Sequence, residues 1–252
     1  MSEEWEFYFS RVNDVQSSIF VNLGLRGSAP MPTKPHLLWI WIYFNHPRED
    51  GLSSSEESPV LNEIEDALTK QLAAHCGGLQ AGRITGSGRR EFYFYGVGAQ
   101  DFDVAVSSAM TAFQEYRYDS GHQDDREWAQ YLNVLYPSAT NLQQILNRRV
   151  VDQMKKNGDV PDALRTISHW AYFKTGVARD TYVSKLSDLG FSIEEQWLDS
   201  KQKSAAPFAV RFSKIGSANW NALNTTTIPL WRMADDLGGD YDGWEAEIVR
   251  AR

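Results

Sequence analysis

The longest apolar run in the chain is Leu37-Leu38-Trp39-Ile40-Trp41-Ile42-Tyr43-Phe44, eight residues without a polar interruption. A run of that length and β-branched, aromatic character predicts a central strand covered on both faces. Before it, Trp5–Phe9 and Ser18–Leu23 read as a strand hairpin, followed by a loop in which Pro30, Pro32 and Pro35 discourage regular structure. After it the period changes. Leu61, Ile64, Leu68 and Leu72 recur at spacings of three and four, the single stripe of a core-facing helix. Ser53/Glu56 and Ser54/Glu57 have capping-box spacing at its start, and Gly77-Gly78 supplies its stop. Leu79–Thr85 and Arg90–Tyr95 predict two strands joined by a tight turn at Gly86-Ser87-Gly88. A helix over Asp101–Phe113 and strands near Glu115–Tyr118 and Trp128–Leu135 complete this half. From Leu37 the order is β-α-β-β-α-β.

Pro137-Ser138 marks a boundary, giving domains over 1–137 and 138–252. The second begins with a linking helix, Asn141–Lys156, with Leu142, Ile145, Leu146, Val150 and Met154 on one side. Asn157-Gly158-Asp159 stops it. Thr166–Phe173 predicts a strand, and Ala178–Leu189 a helix with Tyr182, Val183 and Leu186 inward, closed by Gly190. Phe191–Leu198 and Phe208–Phe212 predict strands. Thr226–Leu237 predicts a helix with Pro229 in its first turn, where a missing N–H costs little, and Tyr241–Val249 a last strand. The β-α-β-β-α-β order recurs. The fold class expected is therefore α+β: two tandem ferredoxin-like domains with antiparallel sheets, an N-terminal hairpin and a linking helix.

Composition narrows the function more than the fold. Hydrophobic residues make up 42% and aromatics 13%, enough to build packed cores. Residues 1–137 hold 10 basic and 19 acidic side chains, a net −9; residues 138–252 hold 15 and 14, a net +1. The total of −8 argues against a general nucleic-acid binder, so no direct nucleic-acid partner is expected. Cys76 is the one cysteine, which excludes an internal disulfide and a multi-thiolate metal site. Met1-Ser2-Glu3-Glu4-Trp5 has neither the positive start nor the apolar run of a signal peptide, and eight apolar residues fall far short of the roughly 20 that span a bilayer. A cytoplasmic protein away from the membrane is expected.

The segment Gly158-Asp159-Val160-Pro161-Asp162-Ala163-Leu164-Arg165-Thr166-Ile167-Ser168-His169 has a helix ending at glycine, a Pro-Asp-Ala-Leu turn and an Ile-x-His strand start. Together with Leu189-Gly190-Phe191 and Tyr241-Asp242-Gly243-Trp244-Glu245, it resembles the RraB family over about residues 141–249. That resemblance implies a non-catalytic regulator that binds ribonuclease E or another degradosome component and modulates RNA turnover, with no cofactor and no catalytic residue. Residues 1–137 resemble a bacterial family of no assigned function, through Trp5/Tyr8 and Gly82-Arg83-x-Thr85-x-x-Gly88-Arg89-Arg90-Glu91.

Each motif also has a plain structural reading. In Tyr241-Asp242-Gly243-Trp244-Glu245, glycine supplies a turn and Trp244 fills core volume; the functional reading is an interface patch, since Tyr and Trp anchor protein contacts. Asp162 and His169 join that patch as interaction candidates through the family segment. Arg89-Arg90-Glu91-Phe92-Tyr93-Phe94-Tyr95 is similar to the aromatic strand of RNA-binding sheets, but alternating aromatics commonly pack beneath a helix; His169-Trp170-x-Tyr172-Phe173 poses the same choice. His75-Cys76 are helix neighbours that do not face each other, so a buried cysteine is the simpler reading. No metal or phosphate-loop spacing occurs, and the acidic doublets Glu49-Asp50, Glu56-Glu57 and Asp124-Asp125 read as solvated loops. An enzyme with its active site in a cleft between the domains is the competing reading, and an RNA-binding sheet a third.

Overall fold

The computed structural model describes residues 3–199 and 205–251; Met1 and Ser2 of the N-terminal segment read above lie outside them. The chain divides into two compact units, Met1–Asn141 and Leu142–Arg252. Both are mixed α+β, with antiparallel sheets of six and four strands.

In the first unit β1 (Trp5–Val12) and β2 (Val15–Asn22) form a hairpin closed by Asn13 and Asp14, both at positive φ. That is the mirror-image turn whose twist suits paired strands. The remaining elements are β3 (His36–Tyr43), α1 (Ser58–Cys76), β4 (Leu79–Gly86), β5 (Arg89–Gly96), α2 (Phe102–Met110) and β6 (Tyr118–Asp124). The sheet order is β1-β2-β4-β5-β3-β6. Ser87 and Gly88, at φ +52° and +74°, make the β4–β5 turn. Leu38, Ile40, Ile42, Phe92 and Phe94 bury one sheet face against Leu61, Ile64, Leu68 and Leu72 of α1 and Phe102, Ala105 and Val106 of α2.

Three expectations for this unit change. First, β3 lies inside the sheet, between β5 and β6, but from Leu38 onward only alternate residues of the strand are fully buried: Trp39, Trp41 and Tyr43 are half-buried on the other face. Guanidiniums cover two of these rings, Arg89 over Trp41 at 4.1 Å and Arg117 over Tyr43 at 3.7 Å, so cation–π contacts stand where a second apolar layer was expected. Second, the capping box is half formed. Ser54 Oγ accepts the Glu57 N–H at 3.1 Å, but the Glu57 carboxylate accepts the Asn45 N–H at 2.7 Å instead of returning to the serine. Third, Trp128–Leu135 is no strand. Residues 130–135 form a π-helical turn, started by Asp125, whose two carboxylate oxygens accept the N–H groups of Ala129 and Gln130. Its Trp128, Tyr131 and Leu135 are buried. Trp128 stacks on Tyr95 of β5 with centroids 3.9 Å apart, and Tyr8 of β1 donates its hydroxyl to the Leu135 carbonyl at 3.0 Å. The fourth strand of the pattern is β6 instead, starting where Glu115–Tyr118 was expected to end.

The second unit opens with α3 (Ala139–Lys156), then β7 (Leu164–Phe173), α4 (Gly176–Asp188), β8 (Ser192–Leu198), β9 (Phe208–Ser217), α5 (Trp220–Asp236) and β10 (Asp240–Ala246), in the order β10-β7-β9-β8. Ala171, Phe173, Val210, Phe212 and Tyr241 pack against Tyr182 and Leu186 of α4 and Leu230 and Ala234 of α5. The buried face of α3 is rotated from the expected stripe: Ile145, Val151 and Met154 are buried with Asn147, while Leu146 and Val150 are 49% and 39% exposed. Asn147 draws the helix round. Its amide donates to Asn224 Oδ1 at 2.8 Å and Thr227 Oγ1 at 2.7 Å, and its Oδ1 accepts from Trp244 Nε1 at 2.9 Å. Helix α5 begins six residues earlier than expected, capped by Asn219, whose side chain accepts the Ala222 N–H. Pro229 therefore lies inside the helix and not in its first turn, which leaves the Thr225 carbonyl without its usual helical donor.

Candidate interaction surface

Strand β7 sits in the middle of the second sheet, and alternation sends its residues to two different environments. Cross-strand pairing places Ile167, His169, Ala171 and Phe173 with Trp244, Phe212, Val210 and Tyr241 on the helix side. Thr166, Ser168, Trp170 and Tyr172 share the opposite side with Arg211, Ala209 and Glu245.

On the helix side His169 is 1% exposed, and its Nδ1 lies 2.7 Å from the Tyr241 hydroxyl. Its ring stacks on Phe212 at 5.2 Å and 17°. Burial pushes the imidazole pKa down to about 4, so the ring is neutral at pH 7, and burial pushes the Tyr241 phenol well up. Among the described residues the imidazole is the one hydrogen-bond partner of the Tyr241 hydroxyl; with that O–H donating to Nδ1, the neutral ring carries its proton on Nε2.

The seven interaction candidates thus divide. Tyr241, Trp244 and His169 gather on the helix side, where Tyr241 is 6% exposed and Trp244 is tied to Asn147. Gly243, at φ +118°, carries the β-bulge that breaks the β10–β7 register between Tyr241 and Gly243; only glycine adopts that backbone readily. Asp242 and Glu245 are exposed, Glu245 opposite Ser168 on the helix-free side. Asp162 accepts a hydrogen bond from Asn219 Nδ2 at 2.7 Å, at the start of α5, and contacts none of the other six.

The helix-free face carries the chemistry of a contact surface. Trp170 and Trp197 are half-buried, and Tyr172 meets Trp197 edge-on with centroids 6.2 Å apart. The Arg211 guanidinium stands 5.3 Å over Trp170 and pairs with Glu194 at 2.8 Å. Leu164 and Ile215, at 74% and 70% exposure, extend the face toward its end. A groove of about 620 Å³ runs beside them, lined by Arg165, Ser168, Glu194, Arg211, Glu245 and Glu247 among others. Aromatic anchors amid charges of both signs suit a protein surface. Of these, sequence reading singled out only Trp170 and Tyr172 beside Glu245; Trp197, Arg211 and Glu194 show themselves only when strands adjacent in space are aligned.

The aromatic strand of the first unit is different. Phe92 and Phe94 lie beneath the helices, and Tyr93 and Tyr95 are buried on the other face, at 7% and 0% exposure. Tyr95 is held by Trp128 and by Asp125, which accepts its hydroxyl at 2.6 Å. These four rings are packed, and none is open to stack a base.

The chain belongs to the family described as "Family of unknown function (DUF695)", whose model matches residues 3–136. Residues 144–246 match the model of a second family, "Regulator of ribonuclease activity B", so the chain joins a domain of each kind. No curated protein matches it. Among solved structures it is similar to an unknown protein from Galdieria sulphuraria, at 12% identity and a TM-score of 0.23, over 85% of this chain and 99% of that one. It is also similar to a putative glycine cleavage system transcriptional repressor, at 8% identity and a TM-score of 0.24, over 86% and 98%. Scores this low carry no argument about fold or function. Among the described residues no helix is long and apolar enough to cross a membrane, and no group of three His, Cys, Asp or Glu side chains could hold a metal ion.

Proposed function

We propose that this protein is a non-catalytic regulator that binds a ribonuclease through the helix-free face of its second sheet, with ribonuclease E as the partner and the cytoplasm as the compartment. The match of residues 144–246 to a family of ribonuclease regulators carries this reading. The half-buried Trp170, Trp197 and Arg211 and the exposed Glu245 supply the means. The second half of the chain is close to neutral, so binding would rest on aromatic burial and local charge pairs more than on long-range attraction. We take both units as ferredoxin-like split-βαβ domains meeting near residue 138. In support, the strand order within each β-α-β-β-α-β pattern runs fourth, first, third, second.

The test uses the full chain with purified ribonuclease E, measuring binding by interferometry and the rate of cleavage of a short RNA. Binding and slowed cleavage are expected. Trp170→Ala and Arg211→Glu should each weaken binding by about tenfold or more, the loss typical of a buried anchor, with the circular dichroism spectrum unchanged. Absence of binding at low salt would rule out this partner. Retention of full affinity by both variants would rule out this face.

A further inference from the structure

A second cavity of the same unit lies on the other side of the sheet, between α5 and strands β7 and β9, with the α4–β8 connection as its rim. Its volume is about 320 Å³. Ile167, Phe191, Pro229 and Leu230 give it apolar walls, and Ser217, Thr225 and Thr226 add neutral polar groups. It has one cationic side chain, Lys214, and among the described residues no acidic side chain lines it.

Two observations set this cavity apart from a packing defect. His169 lines it while being 1% exposed. Its Nδ1 is engaged by Tyr241, and among the described residues nothing pairs with Nε2, which is a donor toward the cavity when the Tyr241 hydroxyl donates to Nδ1. The imidazole lines the cavity, so a group bound there can pair with this otherwise unpartnered nitrogen. The second observation is the position of Lys214. Its chain is exposed, and its ammonium donates to the Leu189 carbonyl at 2.9 Å and lies 5.1 Å from the Phe191 ring. The His169 ring meets the same Phe191 edge-on at 5.7 Å. A neutral N–H donor at the floor and an ammonium at the rim therefore flank one aromatic wall.

We infer that this cavity binds a small apolar carboxylate, whose charged group is received by His169 Nε2–H and Lys214 and whose body lies against Phe191, Leu230 and Pro229. The absence of acidic lining favours an anion, the single cation matches a single charge, and the apolar walls reject inorganic anions, which would lose their hydration without replacement. The inference stands independently of the ribonuclease reading, since the two sites use opposite sides of the sheet.

Calorimetry on the full chain with 3-phenylpropionate and octanoate as probes, and with 3-phenylpropan-1-ol as the uncharged match, provides the test. At least one acid should bind saturably, and 3-phenylpropionate at least tenfold tighter than the alcohol. Lys214→Met, a change at an exposed side chain, should bring acid and alcohol to similar affinity. Ala222→Phe, which fills the cavity from α5, should abolish binding while leaving the circular dichroism spectrum unchanged. The ¹⁵N resonance of His169 Nε2 should move on addition of acid. The inference is overturned if neither acid binds at millimolar concentration, if acid and alcohol bind equally, or if Lys214→Met leaves their ratio unchanged.

Discussion

Arg165 and Asp159 form an ion pair whose side chains are 4% and 1% exposed, and replacing Arg165 by methionine perturbs the second unit more than any surface change could. The guanidinium donates to Asp159, to the carbonyls of Ala163 at 3.1 Å and Glu247 at 2.8 Å, and to that of Val160. Asp159 Oδ1 in turn accepts the Val249 N–H at 2.8 Å, while Oδ2 is buried without a partner. The pair thereby ties the turn before β7 to the chain that leaves β10. Arg165→Met would strand a buried carboxylate already short of one hydrogen bond, and removing one member of such a pair costs about 3–5 kcal/mol. Removing both as Asp159→Leu/Arg165→Met takes away the stranded charge. The double variant should then be more stable than Arg165→Met, while still below the parent because the carbonyls of Val160, Ala163 and Glu247 and the Val249 N–H lose their partners. Native-state hydrogen exchange resolves the two units, so opening free energies of β7 and β10 amides are the measurement. A loss below about 1 kcal/mol for Arg165→Met, or a double variant as unstable as the sum of the single ones, would refute the reasoning.

Three further outcomes follow from the packing. His169 has a folded pKa of about 4 against 6.5 for the free side chain, so below pH 6.5 the unfolded chain binds a proton that the folded one refuses. Its contribution is present above pH 6.5 and lost as pH falls toward 4, up to about 3 kcal/mol over the window; His169→Phe should flatten that part of the stability–pH curve in urea titrations. Asn147→Leu leaves Trp244 Nε1–H without its acceptor and Thr227 and Asn224 without their donor. About 2 kcal/mol should be lost, and exchange should quicken at the α3–α5 contact. Gly82→Ala would put a Cβ 2.7 Å from the Phe20 carbonyl. It should cost about 1–3 kcal/mol and loosen the β2–β4 pairing, seen as faster exchange of the hairpin amides.

Where the apolar spacing had a single interpretation, the sequence predicted the element. The α1 stripe at Leu61, Ile64, Leu68 and Leu72 is fully buried, and its stop at Gly77 is a left-handed cap at φ +57°. The failures had physical competitors. Trp128, Tyr131 and Leu135 recur at spacings of three and four, a helical signal within a segment expected as a strand, and the Asp125 cap starts the turn there. On α3 the apolar spacing predicts a buried stripe that includes Leu146 and Val150, whereas three polar partners on α5 and β10 turn Asn147 inward in their place. Long-range hydrogen bonding of that kind leaves no trace in local periodicity. The pairing of Trp170 with Arg211, across two strands separated by a helix and a third strand, is invisible for the same reason.

The motif that makes the second unit recognisable also explains why it points poorly to a partner. Tyr241 completes the hydrogen bond of His169, Gly243 takes the positive φ of the bulge, and Trp244 holds α3 through Asn147. Each role belongs to the helix side or the backbone, and each fails if the residue changes, whatever the unit binds. Substitutions at Tyr241 or Trp244 would therefore reduce binding by damaging the fold, and such a loss would not locate an interface. Trp170 and Arg211 are free of that double duty: their contacts are with each other, Ser168 and Glu194 on the face without helices. Substitutions on that face therefore test the proposed contact without disturbing the core, which substitutions in the signature cannot do.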